Sequence, residues 1–171
     1  MINFASYIRN IPDFPIKGIQ FKDITTLLKE PDVFANAIDQ MYSPFRDQEI
    51  TKIIGIESRG FIFGSAIAYK LNLGYIPVRK PGKLPAETLS EEYQLEYGKD
   101  SLEIHVDAIN DNDTVLIVDD LLATGGTAAA TCQLVEKLGG KIAGVSFLIE
   151  LAELNGREKL GGLNVQALLT M

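Results

Sequence analysis

The sequence predicts an α/β fold in which a central, mostly parallel, twisted sheet is flanked by helices. Three observations lead there. Short apolar runs recur along the chain, "KIIGI" (52–56), "GYIPV" (74–78), "TVLIV" (114–118) and "IAGVSFLIEL" (142–151), and they are continuous rather than alternating. That pattern suits strands buried on both faces of a sheet. Between the first two lies "GFIFGSAIAYKL" (60–71), a mostly apolar helical stretch, so strand, helix and strand follow at the spacing of a βαβ unit. Finally, "VLIVDDLLATGGT" (115–127) runs an apolar strand into two adjacent carboxylates and a turn of small residues. Parallel sheets collect their ligands at such strand ends.

The elements follow in order. At 171 residues the chain has the length of about one domain and can bury a core. Residues 1–30 form an arm, because "IPDFPIKGIQF" (11–21) is broken by prolines and a glycine and reads as irregular. "DVFANAIDQMYSPF" (32–45) places Val33, Ala37, Ile38 and Met41 at helical spacing. After the βαβ unit, residues 79–100, "RKPGKLPAETLSEEYQLEYGKD", are polar and lack apolar periodicity. A loop of that length inside a domain is uncommon and reads as a flexible lid. Strands "LEIHV" (102–106) and "TVLIV" come next. The helix after the small-residue turn is predicted to run to about Leu138, with Ala130, Leu134, Val135 and Leu138 on one face and Gly139 as its stop. "LNVQALL" (163–169) is the last strand.

Bulk charge excludes some partners. With 16 basic and 23 acidic residues the net charge is −7, and the pI is about 4.7, so neither nucleic acid nor an anionic membrane is an expected partner. The single cysteine, Cys132, cannot form an internal disulfide, which fits a reducing cytoplasm. No basic start with an apolar core marks a secretory signal, and no apolar run reaches the roughly 20 residues of a membrane helix. A cytoplasmic protein is therefore expected. His105 reads as a surface or edge-strand residue and Cys132 as a small buried filler.

The small-residue turn reads as a phosphate cradle. Gly125 and Gly126 allow unusual backbone angles and remove Cβ atoms that would block an oxyanion. Ala123, Thr124 and Thr127 with the following helix N-terminus complete an anion-binding loop. No lysine follows the glycines, so this is not a nucleoside-triphosphate P-loop. Asp119 and Asp120 would repel phosphate but can accept hydrogen bonds from the vicinal hydroxyls of a sugar. A 5-phosphorylated ribose satisfies both halves of the stretch.

"VLIVDDLLATGGT" resembles the ribose-phosphate signature of the type I phosphoribosyltransferases, and nearly the whole chain resembles their adenine-specific branch. "PDFPIKGIQFKDIT" (12–25) is similar to its base-binding segment, "GIESRGFIFG" (55–64) to its pyrophosphate loop, and "VRKPGKLP" with "EYQLEYGKD" to its lid. The resemblance implies that adenine displaces pyrophosphate from C1 of 5-phosphoribosyl 1-pyrophosphate, giving AMP. It implies Mg2+ held mainly by substrate and water, so that no metal-ligand cage of protein side chains is expected. It also implies a twofold homodimer, in which Arg79, Lys80 and Lys83 reach pyrophosphate, partly across the interface. Lys83 also suits a solvated charge run.

Site roles follow from the same resemblance. Asp119 and Asp120 hold the ribose hydroxyls and stabilise the cation that develops on the ring. Arg59 meets the pyrophosphate, in a loop whose relatives carry a non-proline cis peptide around Glu57 and Ser58. Glu96 meets the proton on adenine N7, and Tyr97 helps to close the site against water. Main-chain groups of Gln20 and Lys22 read the base edge, Phe21 stacks on the ring and Leu151 covers its far side. Lys22 stands where some relatives have arginine, and Phe21 suits the core equally well. Two rivals remain open. One is transfer to hypoxanthine, guanine, xanthine or orotate. The other is a regulator that senses the phosphoribosyl donor, against which the acidic charge and the absence of a helix-turn-helix segment count.

Overall fold

The computed structural model describes residues 2–94 and 98–171. Near the N-terminus, β1 (Arg9–Pro12) and β2 (Gln20–Asp23) pair antiparallel, with Arg9 opposite Asp23 and Pro12 opposite Gln20. The arm expected to be irregular is therefore a two-stranded ribbon. Its proline is tolerated because it ends an edge strand, where no ladder donor is needed. The turn between the strands is closed by Asp13, whose Oδ1 accepts a 2.7 Å hydrogen bond from the Gly18 N–H, and Gly18 sits at φ 94°. Short α1 (Thr25–Leu28) and α2 (Pro31–Tyr42) follow. Pro31 opens α2 where its missing N–H costs nothing. The helix buries Val33, Ala37, Ile38 and Met41, as their spacing predicts.

The central sheet comes next. β3 (Lys52–Ile56), α3 (Gly60–Leu71) and β4 (Gly74–Val78) form the predicted βαβ unit. Asn72, at φ 54°, ends α3 in the left-handed conformation common after helices. β5 (Thr88–Gln94) and β6 (Lys99–His105) pair antiparallel. β7 (Thr114–Leu122), α4 (Gly126–Lys137), β8 (Lys141–Glu150) and β9 (Val165–Thr170) complete the chain. The five-stranded sheet has the order β4-β3-β7-β8-β9, parallel throughout.

Two boundaries differ from those predicted. The 79–100 segment is not loop throughout, since its second half is β5. The strand was hidden because its inward positions are Leu89, Glu91 and Tyr93, and Glu91 interrupts the apolar alternation. Glu91 faces inward because its carboxylate meets the ammonium of Lys137 on α4. The other difference is that β7 continues through Asp119 and Asp120 to Leu122. The carboxylates therefore sit inside a strand, and the turn proper is Ala123 to Gly125.

Strand alternation splits the core into two layers. On β7, Val115 and Ile117 join one apolar cluster while Leu116 and Val118 join the other. On β3, Ile54 and Ile56 face the first cluster and Ile53 the second. The first face is covered by α4 and the β5–β6 hairpin, the second by α2, α3 and the N-terminal segment. Both faces of these strands are thus covered, with only Lys52, Thr114 and Leu121 half-buried, which explains their continuous apolar text. Phe45, Phe63 and Phe147 are fully buried, each contributing about 1.5–3 kcal/mol of transfer free energy. His105 ends β6, where its Nε2 accepts the Ala86 N–H at 3.4 Å. Burial pushes the Cys132 thiol up to about 12, as suits a packed filler rather than a nucleophile. Among the described residues no helix is long and apolar enough to cross a membrane.

Candidate active site

The carboxyl end of β7 carries the acidic pair. Asp119 and Asp120 are buried, and the Asp119 Oδ1 accepts the Asp120 N–H at 2.8 Å. Burial, and then the neighbouring Asp120 charge, push the Asp119 carboxyl well above the ordinary range. Burial also raises Asp120, against the opposing pull of the Arg59 cation. The Asp120 Oδ2 lies 2.6 Å from Arg59 Nη2 yet accepts no directed hydrogen bond among the described residues. The contact is an ion pair whose carboxylate oxygen is buried and faces Arg59.

Arg59 stands just before α3, where the chain turns off β3. Its Nη1 donates to the Lys22 carbonyl at 3.0 Å, and its guanidinium lies 4.9 Å from the Phe21 ring centre. The residue predicted to meet pyrophosphate thus ties the N-terminal ribbon to the acidic pair in this structure. Gly60 follows because a Cβ there would lie 2.7 Å from the Asp119 Oδ1 and 2.8 Å from the Val118 carbonyl oxygen. The peptide between Glu57 and Ser58 is cis, at the position the resemblance implies.

The basic segment after β4 is internally paired. Arg79 donates to both Glu57 carboxylate oxygens at 3.2 Å, and the Lys80 N–H reaches Glu57 Oε2 at 2.9 Å. Burial would raise Glu57, but these hydrogen bonds hold it below the ordinary value. Lys80 Nζ contacts Asp100, and it donates to the Tyr93 hydroxyl at 2.5 Å. Lys83 is exposed; its side chain forms no ion pair among those found in the described residues, while its carbonyl accepts from Arg79 at 3.2 Å.

The small-residue turn has the predicted shape for a different reason. Gly125 sits at φ 78°, a conformation suited to glycine. A Cβ on Gly125 would not point into an anion cradle; it would meet the Gly156 carbonyl oxygen at 2.3 Å. On Gly126 it would come within 3.1 Å of the Tyr93 ring and 3.3 Å of the Gln94 carbonyl oxygen. The glycines therefore let two neighbouring segments pack against the turn. Gly156 carried no motif signal, because its partner is brought to it only by the fold.

Beside this turn opens a cavity of about 520 Å³, lined by Phe21, Arg59, Ala123, Thr124 and Leu151, with Gln20 and Lys22 on its ribbon side. Phe21 is half-buried and forms the cavity wall, so it is not a core residue. Ile16, Ile19, Leu121 and Leu154 extend the apolar lining. Sequence reading missed them because isolated apolar residues in turns resemble ordinary surface. The fold thus brings Gln20, Phe21, Lys22, Arg59, Ala123, Thr124 and Leu151 to one cavity, whose lining does not include Asp119, Asp120, Gly125, Gly126 or Thr127. Glu96 and Tyr97 lie outside the described residues. Among the described residues no three histidine, cysteine or acidic side chains cluster as a metal site.

Comparison with known proteins gives one consistent outcome. The family model for the phosphoribosyl transferase domain matches residues 23–160. The chain is 60% identical over 168 residues to the adenine phosphoribosyltransferase of Brachyspira hyodysenteriae, covering 98% of this chain and 99% of that protein. The crystal structure of adenine phosphoribosyltransferase from Rhodothermus marinus superposes with a TM-score of 0.95 at 54% identity, over 98% of this chain and 96% of that one. The Saccharomyces cerevisiae enzyme, complexed with D-2,5-dideoxy-2,5-imino-altritol 1,6-bisphosphate and adenine, superposes with a TM-score of 0.91 at 41% identity, over 97% and 96%.

Proposed function

The chain belongs to the phosphoribosyl transferase family, and on that premise we propose that it transfers the 5-phosphoribosyl group of 5-phosphoribosyl 1-pyrophosphate to adenine. The products are AMP and pyrophosphate, so the reaction salvages a free purine. One observation supports this reading most: the cavity walled by Phe21 and Leu151 shares Ala123 and Thr124 with the anion-binding turn, next to the Asp119–Asp120 pair. A planar apolar base, a ribose and a phosphate fit side by side in that order.

In the reaction the N9 lone pair of adenine forms the new bond to C1, and the C1–O bond breaks with its electrons leaving on pyrophosphate. Positive charge grows on the ribose ring as that bond lengthens. Asp119 and Asp120, held at the strand end, accept hydrogen bonds from the ring hydroxyls and place negative charge beside the growing cation. Glu96 takes the proton that adenine loses from N7, and Tyr97 with the β5–β6 hairpin closes the site as a lid against water. Gln20 and Lys22 read the base edge through their main chain. Arg59, Glu57 and Ser58 form the pyrophosphate side, with Arg79, Lys80 and Lys83 as further cations that exchange their present carboxylate partners for phosphate oxygens.

Magnesium suits this site. Asp119 and Asp120, buried at the strand end, would anchor it only indirectly through substrate hydroxyls or water; when bound, it would offset charge on the departing pyrophosphate. A twofold homodimer is supported by Ile62 and Tyr69, two turns apart on one face of α3, where Tyr69 is 90% exposed. A lone buried cysteine supports a reducing, cytoplasmic location.

The test is incubation with Mg2+ and the phosphoribosyl donor, offering adenine, hypoxanthine, guanine and orotate separately. AMP from adenine alone is expected. Product from another base would overturn the base assignment, and donor binding without any product would favour a sensor.

A further inference from the structure

We infer that Arg157 is a positioning residue for the phosphate turn, acting through the main chain of Gly156. The inference rests on the reading of residues 123–127 as the ribose-phosphate site. Gly156 and the turn lie back to back. A Cβ on Gly156 would fall 2.2 Å from the Ala123 carbonyl oxygen and 3.1 Å from the Gly125 nitrogen, while one on Gly125 would fall 2.3 Å from the Gly156 carbonyl oxygen. The backbone of residue 156 is therefore the wall against which the turn is pressed. The turn's left-handed Gly125 has no side chain of its own to define its position.

The residue after that wall is anchored by three hydrogen bonds to two residues. Arg157 Nε donates to Glu150 Oε1 at 2.6 Å and Nη2 to Glu150 Oε2 at 2.7 Å, a two-pronged fork onto the last residue of β8. Its Nη1 donates to the Val165 carbonyl at 2.7 Å, at the first residue of β9. Glu150 is buried, while the Arg157 side chain is 46% exposed. An ion pair with one partner this open adds little to global stability. Its geometry nevertheless fixes Gly156 relative to two sheet strands, and through Gly156 it fixes the N–H groups of the turn. Lysine cannot replace the fork, because it has no planar pair of donors.

The experiment is steady-state kinetics of Arg157→Gln, Arg157→Lys, Glu150→Gln and Gly156→Ala with Mg2+, donor and adenine, alongside thermal unfolding. Arg157→Gln is expected to raise KM for the donor about tenfold or more, the scale of a site misplaced by a remote change, with KM for adenine unchanged. Arg157→Lys should fall between it and the parent, and Gly156→Ala should move the same constant. A lowered unfolding temperature with unaltered kinetic constants would overturn the inference, as would equal rises in both KM values. If Arg157→Gln does not fold, Glu150→Gln carries the same comparison with a smaller shift. If the parent protein forms no AMP, the proposed activity fails instead. Calorimetric titration of the donor then decides the inference: weaker binding in Arg157→Gln supports it, and unchanged binding overturns it.

Discussion

The Arg59 guanidinium stands 2.6 Å from the Asp120 carboxylate while donating to the Lys22 carbonyl and stacking on Phe21. One cation thereby links the ribbon that walls the cavity to the strand end that carries the acidic pair. Arg59→Gln is expected to leave a buried carboxylate without its cation, costing about 1–3 kcal/mol after allowance for partial exposure. Adding Asp120→Asn should restore the unfolding temperature but not AMP formation. A double-mutant cycle on both readouts checks this; recovery of activity together with stability would show that the pair serves the fold alone.

The acidic pair also sets a pH dependence. Burial, reinforced at Asp119 by the neighbouring Asp120 charge, raises both carboxyls above the ordinary 3.8. A raised carboxyl binds its proton more tightly when folded, so its stabilising contribution is complete below 3.8 and is lost as pH rises through the folded value. At pH 7, above the ordinary value, keeping the pair buried therefore costs the fold stability. Asp119→Asn is expected to raise the unfolding temperature at pH 7, with little gain at pH 4, and to lower turnover about a hundredfold, the scale of losing one electrostatic stabiliser. Unfolding scans at the two pH values, with turnover at pH 7, decide it.

Gly125→Val tests the turn. Its side chain would run into the Gly156 carbonyl oxygen, and its φ of 78° disfavours any β-branched residue. Loss of donor binding is expected together with about 1–2 kcal/mol or more of stability. Calorimetry with the donor and denaturant unfolding check both; lost binding with full stability would return the glycine to the simpler role of clearing space for an oxyanion.

Much of this was legible in the text of the chain. The parallel strands could be read because both faces are buried, which makes them apolar throughout. The helix faces could be read because α2 and α4 bury residues at regular spacing. The acidic pair and the glycines could be read because they are contiguous in sequence. Legibility ended where partners are distant or polar. β5 was concealed by Glu91, which faces inward to meet Lys137. Gly156, Ile16, Ile19 and Leu154 act through the fold, with no local pattern to mark them. The engagement of Arg59 with Asp120 likewise joins segments that only the sheet brings together.

Phe21→Ala isolates the base cavity. Removal of the ring should raise KM for adenine roughly tenfold, the scale of one base–aromatic stack, and leave KM for the donor unchanged. Initial-rate measurements with each substrate varied in turn would show it. A change confined to the donor would place the base elsewhere.

The most direct test is a crystal structure with AMP bound. The account predicts the adenine between Phe21 and Leu151, the ribose hydroxyls against Asp119 and Asp120, and the 5-phosphate on the N–H groups of residues 123–127. Phosphate bound away from that turn, or a base outside the cavity, would contradict it.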